Sequence, residues 1–183
     1  DAAAAAASGA PPAVQLFRKT ELKVTHTAAD YVTKQVFVAS ADGTRVPMFV
    51  VHHKAVVLDG RNPTLLYGYG GFTINITPTY DPARLAWLEA GGAIVIANLR
   101  GGTERGEEWH RQGMLGNKQQ VFDDLYACAG YAIDTGIATT RMLGIRGRSN
   151  GGLLAAVALI QRPELFGAVV PQAMVRVGLH HRS

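Results

Sequence analysis

The stretch Gly147-Arg148-Ser149-Asn150-Gly151 fits the pattern G-x-S-x-G. In that pattern a serine sits at the tip of a tight turn between a strand and a helix, with its Oγ facing open space. The flanking glycines are needed because backbone of neighbouring elements passes close on both sides. The helix that follows points its free N-terminal amides at the place where negative charge develops during acyl transfer. These residue types suit nucleophilic catalysis by Ser149, with a backbone N–H as one oxyanion donor. The bland alternative is a glycine-rich turn whose serine caps a helix.

A nucleophilic serine needs a base. Where this turn serves catalysis on a parallel sheet, the partners follow in the order Ser, then Asp or Glu, then His. After Ser149 there is no aspartate, Glu164 stands alone as an acid, and the later histidines are His180 and His181. Glu164 lies in "RPELF", the turn after the motif's own helix, where a triad acid is not expected. The upstream histidines, His26, His52, His53 and His110, would break the order and read as surface or structural residues. The sequence offers a candidate nucleophile without a base in the expected place.

The elements that must position this turn are legible in the same way. "QVFVAS" (35–40) and "TRVPMFVVHHK" (44–54) are β-rich runs joined by "ADG", which predicts a hairpin turning at Asp42-Gly43. "PTLLYGYGGF" (63–72) reads as a buried strand entering a glycine-rich loop. "DPARLAWLEAGG" (81–92) reads as a helix with Asp81 as N-cap, Pro82 at the first position and Gly91 past the end. "AIVIANLRGG" (93–102) is a second apolar strand with its own glycine loop. Apolar residues at 121, 122, 125, 128, 129, 132 and 133 predict a helix within 118–136. "RMLGIRG" (141–147), "GLLAAVALIQR" (152–162) and "FGAVVPQAMV" (166–175) read as strand, helix and strand. From residue 63 onward strands and helices alternate, which predicts a mostly parallel sheet with helices on both faces. In such sheets the reactive site lies at the carboxyl ends of the strands, where the three glycine loops fall.

Composition narrows the remaining classes. The chain has 183 residues, 48% hydrophobic and 17% charged, in the range of a globular domain with a real core. The net charge of +4 comes from scattered basic residues, with no run that would track a phosphate backbone, so nucleic acid is not an expected partner. No apolar run reaches the ~20 residues that span a bilayer. The single cysteine, Cys128, lies in an apolar periodic stretch and reads as a buried small hydrophobe. Residues 1–13, rich in alanine, read as a low-complexity tail or the edge of a partial sequence.

Taken together, "LLYGYGGF", "ANLRGGTERGEEWH", "NKQQVFDDL" and "GRSNGGLLAAVALIQRPELFGAVV" resemble the catalytic domain of the prolyl oligopeptidase family of serine peptidases. "VFVASADGTRVPMFVVHHK" is similar to that family's segment entering the same domain, so the resemblance runs over roughly residues 14–175. "GYGGF" and "NKQ" look more like prolyl oligopeptidase than like oligopeptidase B or acylaminoacyl peptidase. The resemblance implies an α/β-hydrolase fold. It implies Ser149 as nucleophile, Asn150 as a backbone oxyanion donor and Tyr69 as a second donor through its hydroxyl. Phe72 and Val175 would help line the substrate pocket. It implies no cofactor and no metal. It further implies short proline-containing peptides as substrates and a cytoplasmic enzyme that is monomeric when complete.

Three departures qualify the resemblance. The position before the nucleophile is glycine in the family and Arg148 here. After Val175, "RVGLHHRS" no longer follows the family, so His180 and His181 do not align with its histidine. The family's aspartate, histidine, proline-stacking indole and β-propeller all fall outside these residues. The expected division is therefore a tail at 1–13, a hairpin segment at 14–62 and a truncated α/β-hydrolase catalytic domain at 63–183. Two functions remain open on this reading: a post-proline endopeptidase acting through an acyl-enzyme on Ser149, and a truncated, inactive fragment or isoform of one. An esterase of the same fold is a third.

Overall fold

The computed structural model describes residues 17–18 and 27–174. The hairpin forms as expected. Strand β1 (Tyr31–Ala39) pairs antiparallel with β2 (Arg45–His53), from Tyr31 opposite His53 to Ala39 opposite Arg45. The turn closes through the Ser40 N–H to the Thr44 carbonyl at 2.8 Å, with Gly43 at φ 82°.

Four more strands follow: β3 (Thr64–Gly68), β4 (Ala93–Ala97), β5 (Leu143–Arg148) and β6 (Ala168–Gln172). They are mutually parallel, and β2 joins them antiparallel to β4, giving one sheet in the order β1-β2-β4-β3-β5-β6. Between the strands run α1 (Pro82–Glu89), α2 (Glu107–Arg111), α3 (Lys118–Asp134) and α4 (Asn150–Gln161). Helix α1 starts where its caps predict: Asp81 Oδ1 accepts the Ala83 N–H at 2.8 Å and Pro82 holds the first position. The apolar strand expected to run into a glycine loop within 93–102 is β4, Ala93–Ala97, and the Asn98 N–H still bonds to the Pro47 carbonyl of β2 before the loop begins.

All five residues of β4 are buried, which explains its unbroken apolar run. Val95 and Ala97 face a large core with Leu125 and Ala129 of α3 and Leu154 and Ala158 of α4. Ile94 and Ile96 face Leu88 of α1 on the other side. The chain thus passes from β3 through α1 to β4 on one side, then crosses through α3 to β5 on the other. The connections diverge at β3, and the carboxyl ends of β3, β4 and β5 surround the divergence, the usual place for a site in an open parallel sheet. The fold is thus α/β, a mostly parallel sheet with helices on both faces, as the alternation of strands and helices predicted. Among the described residues β6 is the outermost strand beside β5, and it carries Pro171, a residue with no ladder donor.

Candidate active site

Ser149 joins β5 to α4 with φ 59° and ψ −120°, a conformation that costs a non-glycine residue on the order of 1–3 kcal/mol. The surroundings hold it there. Its N–H donates to the Gln172 carbonyl at 3.0 Å, and its carbonyl accepts the Leu153 N–H at 3.1 Å. A side chain at Gly147 would collide with the Gly151 carbonyl, so the turn closes only because that position is bare. The Ser149 hydroxyl makes no hydrogen bond to the backbone of its own helix, so the bland helix-cap role does not account for it. Among the described residues no imidazole hydrogen-bonds to it either.

Asn150 is 4% exposed, and its side chain reaches sideways rather than out. Its Nδ2 donates to the Tyr69 carbonyl at 2.5 Å, fastening the serine turn to the loop after β3. Gly71 lies against the same amide, where an added Cβ would sit 2.6 Å from Asn150 Nδ2. Tyr69 is half-buried, and its hydroxyl donates to none of the described residues. Phe72 extends from the same loop at φ 53°, with 64% of its surface exposed among the described residues. Ser149, Asn150 and Tyr69 are thus brought together, and Phe72 stands on the adjoining loop. Val175 lies outside the described residues, as do His26, His180 and His181. Arg148 is exposed on the last position of β5.

The loop after β4 supports the Tyr69 loop from below. A Cβ at Gly101 would lie 2.7 Å from the Gly70 carbonyl, so backbone packs directly on backbone. The Thr73 N–H bonds to the Gly101 carbonyl at 3.3 Å, and Thr103 Oγ1 donates to the Thr73 carbonyl at 3.0 Å. Glu104 Oε1 accepts the Ile76 N–H at 3.0 Å, and burial pushes its carboxyl above the usual range. Helix α2, which the sequence pattern did not reveal, adds the buried Trp109, whose indole donates to the Leu99 carbonyl at 3.1 Å.

Beneath this loop lies Arg100, 2% exposed, paired with Asp124, 0% exposed. Arg100 Nη2 donates to Asp124 Oδ1 at 2.6 Å and Nε to Oδ2 at 2.9 Å, while the Arg100 backbone N–H donates to Oδ2 at 3.1 Å. Nη1 reaches the hairpin turn at Asp42 Oδ2, 2.5 Å away. Burial opposes the Arg100 charge, but its two carboxylate partners more than offset this and hold its pKa above the usual range. In return the Arg100 hydrogen bond holds the Asp42 carboxyl down to about 2.

Lys118 opens α3, at a helix end where a cation is electrostatically disfavoured. That oddity was the available signal for it. Its Nζ donates to the Gly70 carbonyl at 2.6 Å and lies 3.4 Å from Asn150 Oδ1. Burial lowers its pKa to about 8. A cavity of about 500 Å³ opens on the α1 face, lined by Tyr31, Val51, Leu85, Leu88, Ile94 and Ile96. It holds none of these site residues, so the chemistry, not the concavity, marks the site. Among the described residues no group of three or more His, Cys, Asp or Glu side chains is placed to hold a metal, and no helix is long and apolar enough to cross a membrane.

Known proteins resemble this chain in sequence and in fold. An uncharacterized peptidase of Sinorhizobium fredii is 48% identical over 156 residues, 82% of this chain and 22% of its own length. A prolyl endopeptidase of Elizabethkingia miricola is 40% identical over 149 residues, 81% of this chain and 21% of its own. The solved structure of a post-proline cleaving enzyme from Rickettsia typhi superimposes with a TM-score of 0.81 at 39% identity, covering 85% of this chain and 23% of that one. The chain therefore spans about a fifth of the length of the curated relatives it matches. The sequence model of the prolyl oligopeptidase family matches residues 78–178, a stretch that includes Ser149 and Asn150 and begins after Tyr69 and Phe72. On that match, the chain belongs to the prolyl oligopeptidase family.

Proposed function

We propose that this chain carries the nucleophile and the oxyanion donors of a serine endopeptidase that cleaves short peptides on the carboxyl side of proline. The observation that carries the reading is the strained Ser149, held between Gly147 and Gly151, with Asn150 fastened to the Tyr69 loop. Ser149 Oγ attacks the scissile carbonyl carbon while a histidine base takes its proton. The carbonyl π electrons move onto oxygen, which the Asn150 N–H and the Tyr69 hydroxyl receive. Collapse of that intermediate expels the amine, protonated by the same histidine, and leaves an ester on Ser149 for water to hydrolyse. Phe72 and Val175 serve the substrate pocket. The proline preference is supported by the names of the Elizabethkingia and Rickettsia relatives.

The test is turnover of a chromogenic peptide with proline before the scissile bond, by the complete gene product and its Ser149→Ala variant. The expected result is turnover in the first and at least about a thousandfold loss in the second. Faster cleavage after arginine or lysine, or of a simple acyl ester, would overturn the proline preference. Turnover surviving in Ser149→Ala would overturn the assignment of the nucleophile. A second reading concerns the 183-residue polypeptide by itself. Since no described imidazole reaches Ser149, that polypeptide alone is expected to show no turnover; activity abolished by Ser149→Ala in it would refute this.

A further inference from the structure

Four groups on three segments form one hydrogen-bonded chain behind the proposed oxyanion site. Lys118 Nζ donates to the Gly70 carbonyl at 2.6 Å and meets Asn150 Oδ1 at 3.4 Å, and Asn150 Nδ2 donates to the Tyr69 carbonyl at 2.5 Å. Two consecutive carbonyls of the Tyr69 loop are thus bound from behind, one by an ammonium and one by an amide. Among the described residues Lys118 makes no ion pair with a carboxylate. Its partners are neutral oxygens only.

We propose that Lys118 is a positioning residue for catalysis, its ammonium bridging the Gly70 carbonyl and the Asn150 amide oxygen and so holding the spacing between the two oxyanion donors. This rests on the function proposed above. An asparagine amide can turn over, exchanging its oxygen and nitrogen at little cost in shape. Here two partners select the same orientation: the Tyr69 carbonyl takes the NH₂ and the ammonium takes the oxygen. The ammonium also binds the Gly70 carbonyl, so it ties the Tyr69 loop to Asn150 by a second link. Without the cation the Gly70 carbonyl loses its donor, and the loop is held to Asn150 by the single bond at Tyr69. The Asn150 N–H and the Tyr69 hydroxyl belong to the two segments this clamp joins, so their separation would drift while substrate contacts elsewhere stay intact. The bare charge adds a field that favours an oxyanion nearby. Burial, which lowers the Lys118 pKa to about 8, is the strain expected of a cation kept dry for such a purpose.

The complete gene product and its Lys118→Met and Lys118→Arg variants test the inference. Kinetics are read with a prolyl peptide, and affinity with a peptidyl prolinal and the corresponding prolinol. The aldehyde takes Ser149 Oγ onto its carbonyl carbon and becomes an oxyanion, with the serine proton passing to the base. The alcohol forms no such bond. Lys118→Met is expected to lower kcat about 10- to 100-fold with KM within threefold. The aldehyde should lose affinity by the same factor and the alcohol less than threefold. Lys118→Arg should recover at least half of the lost kcat on a logarithmic scale. Melting at pH 7 should not fall in Lys118→Met, since a buried cation is removed. Unchanged kcat, equal losses for aldehyde and alcohol, or a lowered melting temperature that tracks the lost activity would each overturn the inference. Ser149→Ala keeps the two levels apart: if it retains turnover, the proposed function fails, whereas if it is dead and Lys118→Met is fully active, only the role of Lys118 fails. Amide hydrogen exchange at residues 69–71 reads the clamp without substrate, and an exchange rate unaltered by Lys118→Met overturns it whatever the activity.

Discussion

Replacing Asp124 by Asn tests how the loops under the site are held. Asp124 is fully buried and receives three donors from one residue, the Arg100 backbone N–H and two guanidinium nitrogens. The substitution keeps the shape and removes the charge. Arg100 then stays buried, with Asp42, whose side chain is 44% exposed, as its remaining carboxylate. Breaking a buried pair from one side costs about 3–5 kcal/mol, chiefly the penalty of the charge left behind. The companion change Asp42→Asn removes a half-hydrated partner and should cost about 1 kcal/mol or less. For a domain of this size those losses correspond to roughly 6–20 °C and 2–4 °C in Tm. Urea and thermal unfolding can be followed through Trp109, which packs under Arg105 at 5.3 Å and donates to the carbonyl beside Arg100. Replacing Arg100 and Asp124 together by Met and Leu should recover most of the loss. The reasoning is refuted if Asp124→Asn costs less than about 1 kcal/mol, or if Asp42→Asn costs as much.

Three further outcomes are expected. The Asp42 carboxyl is held at about 2 in the folded protein, below the ~3.9 of an unfolded chain, so its contribution is fully present above about pH 5 and lost as pH falls towards 2. The stability difference between wild type and Asp42→Asn should therefore shrink steadily across that window and disappear below about pH 2; a difference as large at pH 2 as at pH 7 refutes it. Gly147→Ala drives a methyl into the Gly151 carbonyl, and should cost about 1–3 kcal/mol by urea unfolding together with most of the turnover, while Gly43→Ala at the hairpin turn leaves turnover intact. Tyr69→Phe should lower kcat by about 10²–10³ with little change in KM, measured on the prolyl peptide; a change confined to KM would move Tyr69 from the oxyanion to the substrate.

The serine turn was legible because its rule is local: two bare positions, a strand before and a helix after. Helix α1 was legible for the same reason, its caps lying within the segment they close. Residues whose meaning lies in distant partners were not. Arginine is normally exposed by type, and nothing near Arg100 announces that Asp124 and Asp42 fold around it. Lys118 gains its place from carbonyl and amide groups 48 and 32 positions away. Helix α2 has five residues, too few to display a helical period. The Phe72 ring could have been core or surface on sequence, since its neighbours in the loop fix neither; among the described residues it is exposed, at a left-handed backbone position.

The Arg100 cluster also carries a statement about time. It gathers Ser40 and Asp42 from the hairpin, Arg100 from the loop after β4, and Gln120 and Asp124 from α3, bridging up to 60 positions of chain. A guanidinium gives up its water only after replacement oxygens have converged, and these converge only once the hairpin, the central strand and the long helix are already assembled. Desolvation of Arg100 then falls on the native side of the folding barrier. Substitutions at Asp124 should leave the refolding rate nearly untouched and quicken unfolding by almost the whole of their cost. The pair governs how long the assembled domain lasts, not how fast it is reached.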